Sequence, residues 1–188
     1  ELGIRAGDTA LCFVGRLGGE KSLDVLISWF CESFGGDAHF KLFIIGEGPE
    51  HQKLEGLVRQ YHAAEQVRLL GRIEHAALPP YYHACDATAS LSEMNSISML
   101  EAMASGLYVL QRLDLYNKDQ ITPGVSGGFF STREEFAALC REQAALSVVQ
   151  KAARRAGVEA ESRKYGKEEF ARRVLDVYQR AAAEYSGK

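Results

Sequence analysis

This sequence predicts an α/β fold built on a doubly wound parallel sheet, and three observations carry the prediction. Short apolar runs alternate with amphipathic stretches along most of the chain. Those runs are dense in Val, Ile, Leu and Phe without strict polar alternation, as in parallel strands covered by helices on both faces. The first three runs each end at a glycine, at Gly15, Gly46 and Gly71.

Taken in order, the first strand is expected at 10–14, and the stripe Leu23, Leu26, Ile27, Phe30 and Phe34 marks the helix behind it. Residues 40–45 form the second strand, and Pro49 opens a helix whose stripe is Leu54, Leu57, Val58 and Tyr61. Residues 67–70 are the third strand. A short helix over 78–84 is entered at Pro79 and Pro80, and residues 87–91 read as the next strand. A helix over 96–105 stops at Gly106, a residue suited to the left-handed turn after a helix. Residues 108–111 and 128–130 bring the count to about six strands. From Thr132 onward the chain reads as helical, with breaks expected near Gly157 and Gly166 and a last stripe at Phe170, Val174, Val177, Tyr178 and Ala181. No repeat, low-complexity tract or linker interrupts this pattern, so 1–188 is read as one domain.

Composition narrows the function classes. The 188 residues are 46% hydrophobic and 25% charged, which excludes disorder, and a net charge of −3 argues against a nucleic-acid partner held by a strongly basic surface. No apolar run reaches the roughly 18 residues of a membrane span, and the first residues lack a signal peptide's basic start and apolar centre. A start without Met, running directly into a strand-like segment, suggests a fragment of a longer chain. Cys12, Cys31, Cys85 and Cys140 are spaced by 19, 54 and 55 residues in apolar surroundings, which reads as reduced core cysteines of a cytoplasmic protein. His39, His51, His62, His75 and His83 show no metal spacing or nucleophile partner, so surface or capping positions are expected. Residues 151–173 hold eight Lys or Arg against four acids, a solvated helical face or else a surface that docks to another domain or an anionic bilayer.

Doubly wound sheets bind ligands beyond the carboxyl ends of their strands, and the unusual residues lie there. After the first strand comes Gly15-Arg16-Leu17-Gly18-Gly19-Glu20-Lys21. Its glycines allow close backbone approach and its two cations could cradle a phosphate, although a solvated Gly-rich turn reads equally well. Neither the dinucleotide fingerprint nor the nucleotide-triphosphatase loop is present. Gly46-Glu47-Gly48-Pro49 reads first as a tight turn into a helix.

The densest signal is Ser92-Glu93-Met94-Asn95-Ser96-Ile97-Ser98-Met99-Leu100-Glu101. Asn95 or Ser96 can cap the following helix and leave free amides as an anion site. Glu101 shares a face with Ile97 and Ala104 that reads as otherwise apolar, where a carboxylate needs a hydrogen-bonding partner such as a ribose diol. The plainer alternatives are a surface glutamate at 101 and a helix-flanking acid at 93.

With these segments in order, the chain resembles the carboxyl-terminal, donor-binding half of retaining glycosyltransferases of the GT-B fold, in glycosyltransferase family 4. The resemblance runs from residue 11 to about 178. Besides the segments above, it rests on Phe13-Val14 ahead of Gly15, on Val67-Arg68-Leu69-Leu70-Gly71-Arg72-Ile73, on Leu78-Pro79-Pro80-Tyr81-Tyr82-His83-Ala84-Cys85-Asp86, on the two glutamates eight apart, and on Ala102-Met103-Ala104-Ser105-Gly106. It implies that Arg16 and Lys21 neutralise a nucleotide diphosphate, that Ile73 with Leu78 nearby meets the base, and that Glu101 binds the ribose. Glu93 would contact the donor sugar, and the amides of Met94, Asn95, Ser96 and Ile97 would hold sugar hydroxyls and phosphate. Gly15, Gly46, Gly71 and Arg72 would line the same donor site.

Two departures stand out. Many members carry a Gly-Phe-Gly-like stretch where this chain has Met94-Asn95-Ser96, and Gly106-Leu107-Tyr108-Val109 lacks the usual proline. The segment from Ser92 to Glu101, with Gln111-Arg112-Leu113-Asp114 after it, looks most like the diacylglycerol glucosyltransferase branch. The resemblance further implies a UDP-linked sugar donor, no metal or other cofactor, and a separate amino-terminal domain that binds the acceptor and is missing here. It also implies that the last helix, with the stripe from Phe170 onward, crosses back to that domain, leaving its apolar face without a partner in this chain. A nucleotide-sugar-binding module without transfer activity, or a UDP-sugar epimerase of related architecture, are the alternatives. Cytoplasmic location, with peripheral contact at the inner face of the membrane, completes the expectation.

Overall fold

The computed structural model describes residues 2–92, 96–115 and 117–186. Six parallel strands make one sheet: β1 (Thr9–Val14), β2 (Phe40–Ile45), β3 (Val67–Gly71), β4 (Ala87–Ser90), β5 (Tyr108–Arg112) and β6 (Gly127–Phe130). Their spatial order is β3-β2-β1-β4-β5-β6. The chain therefore winds outward from β1 to one edge, returns beside β1 as β4, and winds outward again. Between β1 and β4 lies the switch point where a doubly wound sheet opens its ligand crevice.

Helices α1 (Leu23–Phe34), α2 (His51–Gln60), α3 (Pro79–Ala84), α4 (Ile97–Ala104), α5 (Arg133–Ala144), α6 (Val148–Ser162) and α7 (Lys167–Ser186) complete the order. Alternation along β1 explains why both sheet faces are covered, since successive side chains point to opposite faces. Leu11 and Phe13 pack with Leu26, Ile27 and Phe30 of α1, whereas Ala10 and Cys12 pack with Leu78, Tyr82 and Cys85 around α3. β2 divides the same way, with Leu42 and Ile44 on the first side and Phe43 and Ile45 on the second. The expected α1 stripe is buried at all five positions, and the expected fold class is the one observed.

All four cysteines are free and buried. Burial pushes the Cys31 thiol up to about 11 and the Cys140 thiol higher still. The Cys85 thiol is raised by its hydrogen bond with Cys12 and by burial. None is poised to react.

Three expectations are corrected. Gly157 does not break a helix but lies inside α6; the break falls at 145–147, where Ser147 caps α6 through the Gln150 amide and the Gln150 side chain returns to the Ser147 amide. Reciprocal capping outweighs a single helical glycine with open space around it. Pro49 lies in a turn with Glu50, and α2 starts at His51. The face carrying Ile97, Glu101 and Ala104 is not apolar and covered: Ile97 is 77% exposed and Ala104 is also exposed, while Met99, Ala102 and Met103 take the core side.

Candidate functional site

At the switch point the loops after β1, β2 and β3 continue the ladder beyond the strands. The Gly15 amide donates to the Ile45 carbonyl (3.0 Å), Leu17 to Glu47 (2.9 Å) and Gly46 to Gly71 (2.8 Å). Such close lacing requires two glycines. A Cβ at Gly46, whose φ is +145°, would fall on the Gly15 carbonyl oxygen, and one at Gly48 on the Leu17 carbonyl. Leu17 is fully buried, which pins the loop and leaves the flanking Arg16 exposed at its surface.

The chain next makes a single 3₁₀ turn, Gly19–Lys21. It leaves that turn through Ser22 in the left-handed region (φ 49°, ψ 40°), uncommon for a residue other than glycine. That turn starts α1 and leaves Lys21 at the crevice, where its Nζ donates to Ser92 Oγ at 3.4 Å. Ser92 is held in turn by the buried Gln111, whose Nε2 donates to the Ser92 carbonyl at 2.8 Å. Gly18 is buried and covered by the Glu20 carboxylate, so it offers no open backbone to a ligand.

From the other side comes the start of α4. Ser96 caps it, its Oγ accepting from the Met99 amide at 3.3 Å and lying 2.6 Å from Ser98 Oγ. The first two helical amides, of Ile97 and Ser98, take no partner among the described residues. Unsatisfied amides at a helix start carry partial positive charge and suit an anion. A cleft of about 370 Å³ brings the two sides together, lined by Phe13, Gly15, Arg16, Lys21, Ser92 and Ile97 among others. Two cations, two free amides and four serine hydroxyls (Ser90, Ser92, Ser96, Ser98) thus share a cleft whose acid among the described residues is Glu20.

Further along the crevice, the Glu101 carboxylate is 30% exposed and its Oε1 accepts from His75 Nε2 at 2.8 Å. A histidine, not an apolar surround, is its neighbour. Tyr82 of α3 donates to the Ser98 carbonyl at 3.4 Å, and burial, with the nearby Cys12 and Glu101, keeps its phenol protonated far above the ordinary range. Leu78 is buried in the core and Ile73 packs against that cluster. Arg72 is exposed and pairs with Glu74 at 3.4 Å.

Of the residues singled out from the sequence, Gly15, Arg16, Lys21, Ser96 and Ile97 share the cleft. Gly46 and Gly71 shape the neighbouring loops, while Arg72, Ile73, Leu78 and Glu101 stand apart from it towards α3 and α4. Glu93, Met94 and Asn95 lie outside the described residues. Phe13, Ser90, Ser92 and Ser98 line the cleft too, although no role was assigned to them from the sequence; the signal was their place, Phe13 near the end of β1, Ser90 and Ser92 at and just after the end of β4, and Ser98 in the first turn of α4. Among the described residues no group of three or more His, Cys, Asp or Glu could hold a metal, and no helix is long and apolar enough to cross a membrane.

The family model described as glycosyl transferases group 1 matches residues 1–163. The chain belongs to that family. Its glycosyl transferases group 1 relatives include the alpha-monoglucosyldiacylglycerol synthase of Acholeplasma laidlawii, 30% identical over 137 residues, covering 72% of this chain and 34% of the relative. The alpha-monoglucosyldiacylglycerol synthase of Streptococcus pneumoniae is 26% identical over 139 residues, covering 73% of this chain and 32% of the relative. This chain therefore spans about a third of each. Among solved structures, a mutant of TarM from S. aureus, in complex with fondaparinux, alpha-GlcNAc-glycerol and UDP, aligns with a TM-score of 0.79 at 19% identity, covering 92% of this chain and 36% of that one. At that identity the likeness is one of fold, the Rossmann-like half of a GT-B architecture.

Proposed function

We propose that residues 1–188 are the donor-binding domain of a retaining glycosyltransferase that moves a hexosyl group from a UDP-linked sugar, and that an acceptor-binding amino-terminal domain belongs to the same enzyme. One observation carries the reading: Arg16, Lys21 and the free amides at the start of α4 converge on a single cleft at the switch point. A diphosphate there meets two side-chain cations and a helix start. As the glycosidic bond breaks, negative charge grows on the leaving diphosphate, and donors already aimed at it lower the barrier with little reorganisation. In this reading side-chain cations carry the neutralisation, and no metal is required.

In the same reading Glu101 accepts from the ribose hydroxyls, the backbone near Ile73 meets the base with Leu78 behind it, and Glu93 with the amides of Met94, Asn95, Ser96 and Ile97 meets the sugar. Gly15, Gly46, Gly71 and Arg72 complete the surround. The names of the relatives favour a lipid over a polysaccharide acceptor. A lipid acceptor in turn fits peripheral contact with a membrane. A binding module without transfer is the rival reading, and its support is Ser96 where many members carry a glycine; the capping bond to Met99 gives that serine a structural reason instead.

Titration of UDP into the chain by calorimetry tests the assignment. Arg16→Ala or Lys21→Ala should each weaken binding by about 1.5 to 3 kcal/mol, the range for a hydrogen bond to a charged group. Unaltered affinity in both variants would remove the diphosphate from this cleft.

A further inference from the structure

Resting on the reading of Glu101 as the ribose ligand, we propose that His75 is a positioning residue for the nucleoside diphosphate: it holds the Glu101 carboxylate in place so that the ligand meets an acceptor already oriented. His75 opens the single 3₁₀ turn His75–Ala77 after β3, and Glu101 lies in the second turn of α4. The contact joins residues 26 apart in sequence and ties two loops of the crevice together at 2.8 Å. A carboxylate only accepts, so the imidazole donates through Nε2, which both the neutral tautomer protonated there and the imidazolium can do.

The contact uses one oxygen. Oε2 of Glu101 takes no hydrogen bond among the described residues and stays open to accept from a diol. Glu101 lies three residues from Ser98 and four from Ile97, so it stands one turn beyond the free amides at the cleft. A nucleotide whose diphosphate sits on those amides and which runs along α4 brings its ribose to Glu101. A glutamate on an exposed helical face samples several rotamers, and ordering it on binding costs affinity. His75 removes part of that cost before the ligand arrives. The histidine itself is 79% exposed, so the pair adds little to stability and its loss should leave the fold intact.

The test uses UDP and its 2′,3′-dideoxy analogue as probes, with affinities measured on the wild-type chain and on His75→Ala, His75→Gln, Glu101→Ala and the His75→Ala/Glu101→Ala double variant. His75→Ala should weaken UDP by about 3- to 10-fold, the worth of one ordinary hydrogen bond. It should leave the dideoxy analogue unchanged, lose its effect in the Glu101→Ala background, and be largely restored by His75→Gln, which keeps a donor. A merely structural histidine would weaken both probes alike, which overturns the proposal. Unchanged or tightened UDP binding in His75→Ala, with Glu101→Ala still weakened, overturns it as well and leaves the ribose assignment standing. If Glu101→Ala itself binds UDP as the wild type does, the reading of Glu101 fails first.

Discussion

Ser96 stands at the rim of the cleft with its hydroxyl engaged along the helix: it accepts from the Met99 amide and meets Ser98 Oγ. A serine cap replaced by alanine loses that acceptor, whereas glycine keeps a backbone suited to the position. Ser96→Ala should therefore cost about 1 kcal/mol and Ser96→Gly only a few tenths, read from urea denaturation. Equal losses would show that the hydroxyl does not hold the helix. This cap was legible in the sequence because a capping residue acts on amides two or three positions away. Glu101 was half legible. The sequence identified a carboxylate that needs a partner, but Ile97 and Ala104 beside it suggested a buried face, and Ile97 is in fact exposed where the helix meets the cleft. Nothing local could have supplied His75, since the pairing depends on how the loop after β3 lies against α4.

At the level of elements, strands were read more accurately than the helical end of the chain. Parallel strands covered on both faces are short continuous apolar runs, and each predicted run overlaps its observed strand to within about a residue at either end. Helices α6 and α7 bury little of their stripes, Val158 being the buried residue of α6. In α7 the side chains of Phe170, Leu175, Val177 and Tyr178 are largely exposed, and ion pairs line its surface. Glu169 accepts from Arg172 (2.6 Å) and Arg173 (2.8 Å), and those bonds pull its carboxyl down to about 2. The folded value lies below the unfolded one of about 4.3, so this contribution is complete above that pH and is lost as pH falls towards about 2. Corrected hydrogen-exchange rates of the α7 amides should accordingly rise on acidification from about pH 5 to 2, ahead of those in β1 and β2. Glu169→Gln should show the faster opening already at neutral pH and change little on acidification. Wild-type protection of α7 in that variant at neutral pH would mean that the helix draws its order from elsewhere.

The whole molecule divides its work between the two edges of the sheet. At the carboxyl edge the loops after β1 and β4 bring cations and free amides together, an arrangement that follows only because β4 returns beside β1. The sequence shows which residues follow each strand, but not which strands become neighbours, so the candidate groups could be named before their convergence could be known. At the amino edge Asp86, just before β4, joins three elements. Its Oδ2 accepts from the Ala10 amide of β1 at 2.9 Å and its Oδ1 pairs with Lys151 of α6 at 2.8 Å. Arg155 of the same helix donates to the carbonyls of His83 and Cys85, and Arg154 lies 4.5 Å over the Tyr108 ring of β5. Removing the Asp86 carboxylate leaves the fully buried Ala10 amide without its side-chain acceptor and removes the Lys151 tie between α6 and the sheet. Asp86→Ala should thus lower stability by about 2 kcal/mol, near the middle of the range for a buried hydrogen bond to a charged group. Asp86→Asn, which retains an oxygen for the Ala10 amide but not the charge for Lys151, should fall between. Because the proposed donor cleft lies at the opposite edge, UDP affinity should stay within about twofold of wild type in whatever fraction remains folded. A variant that keeps its denaturation midpoint but loses UDP would reverse the assignment of the two edges, and with it the placement of the donor between β1 and β4.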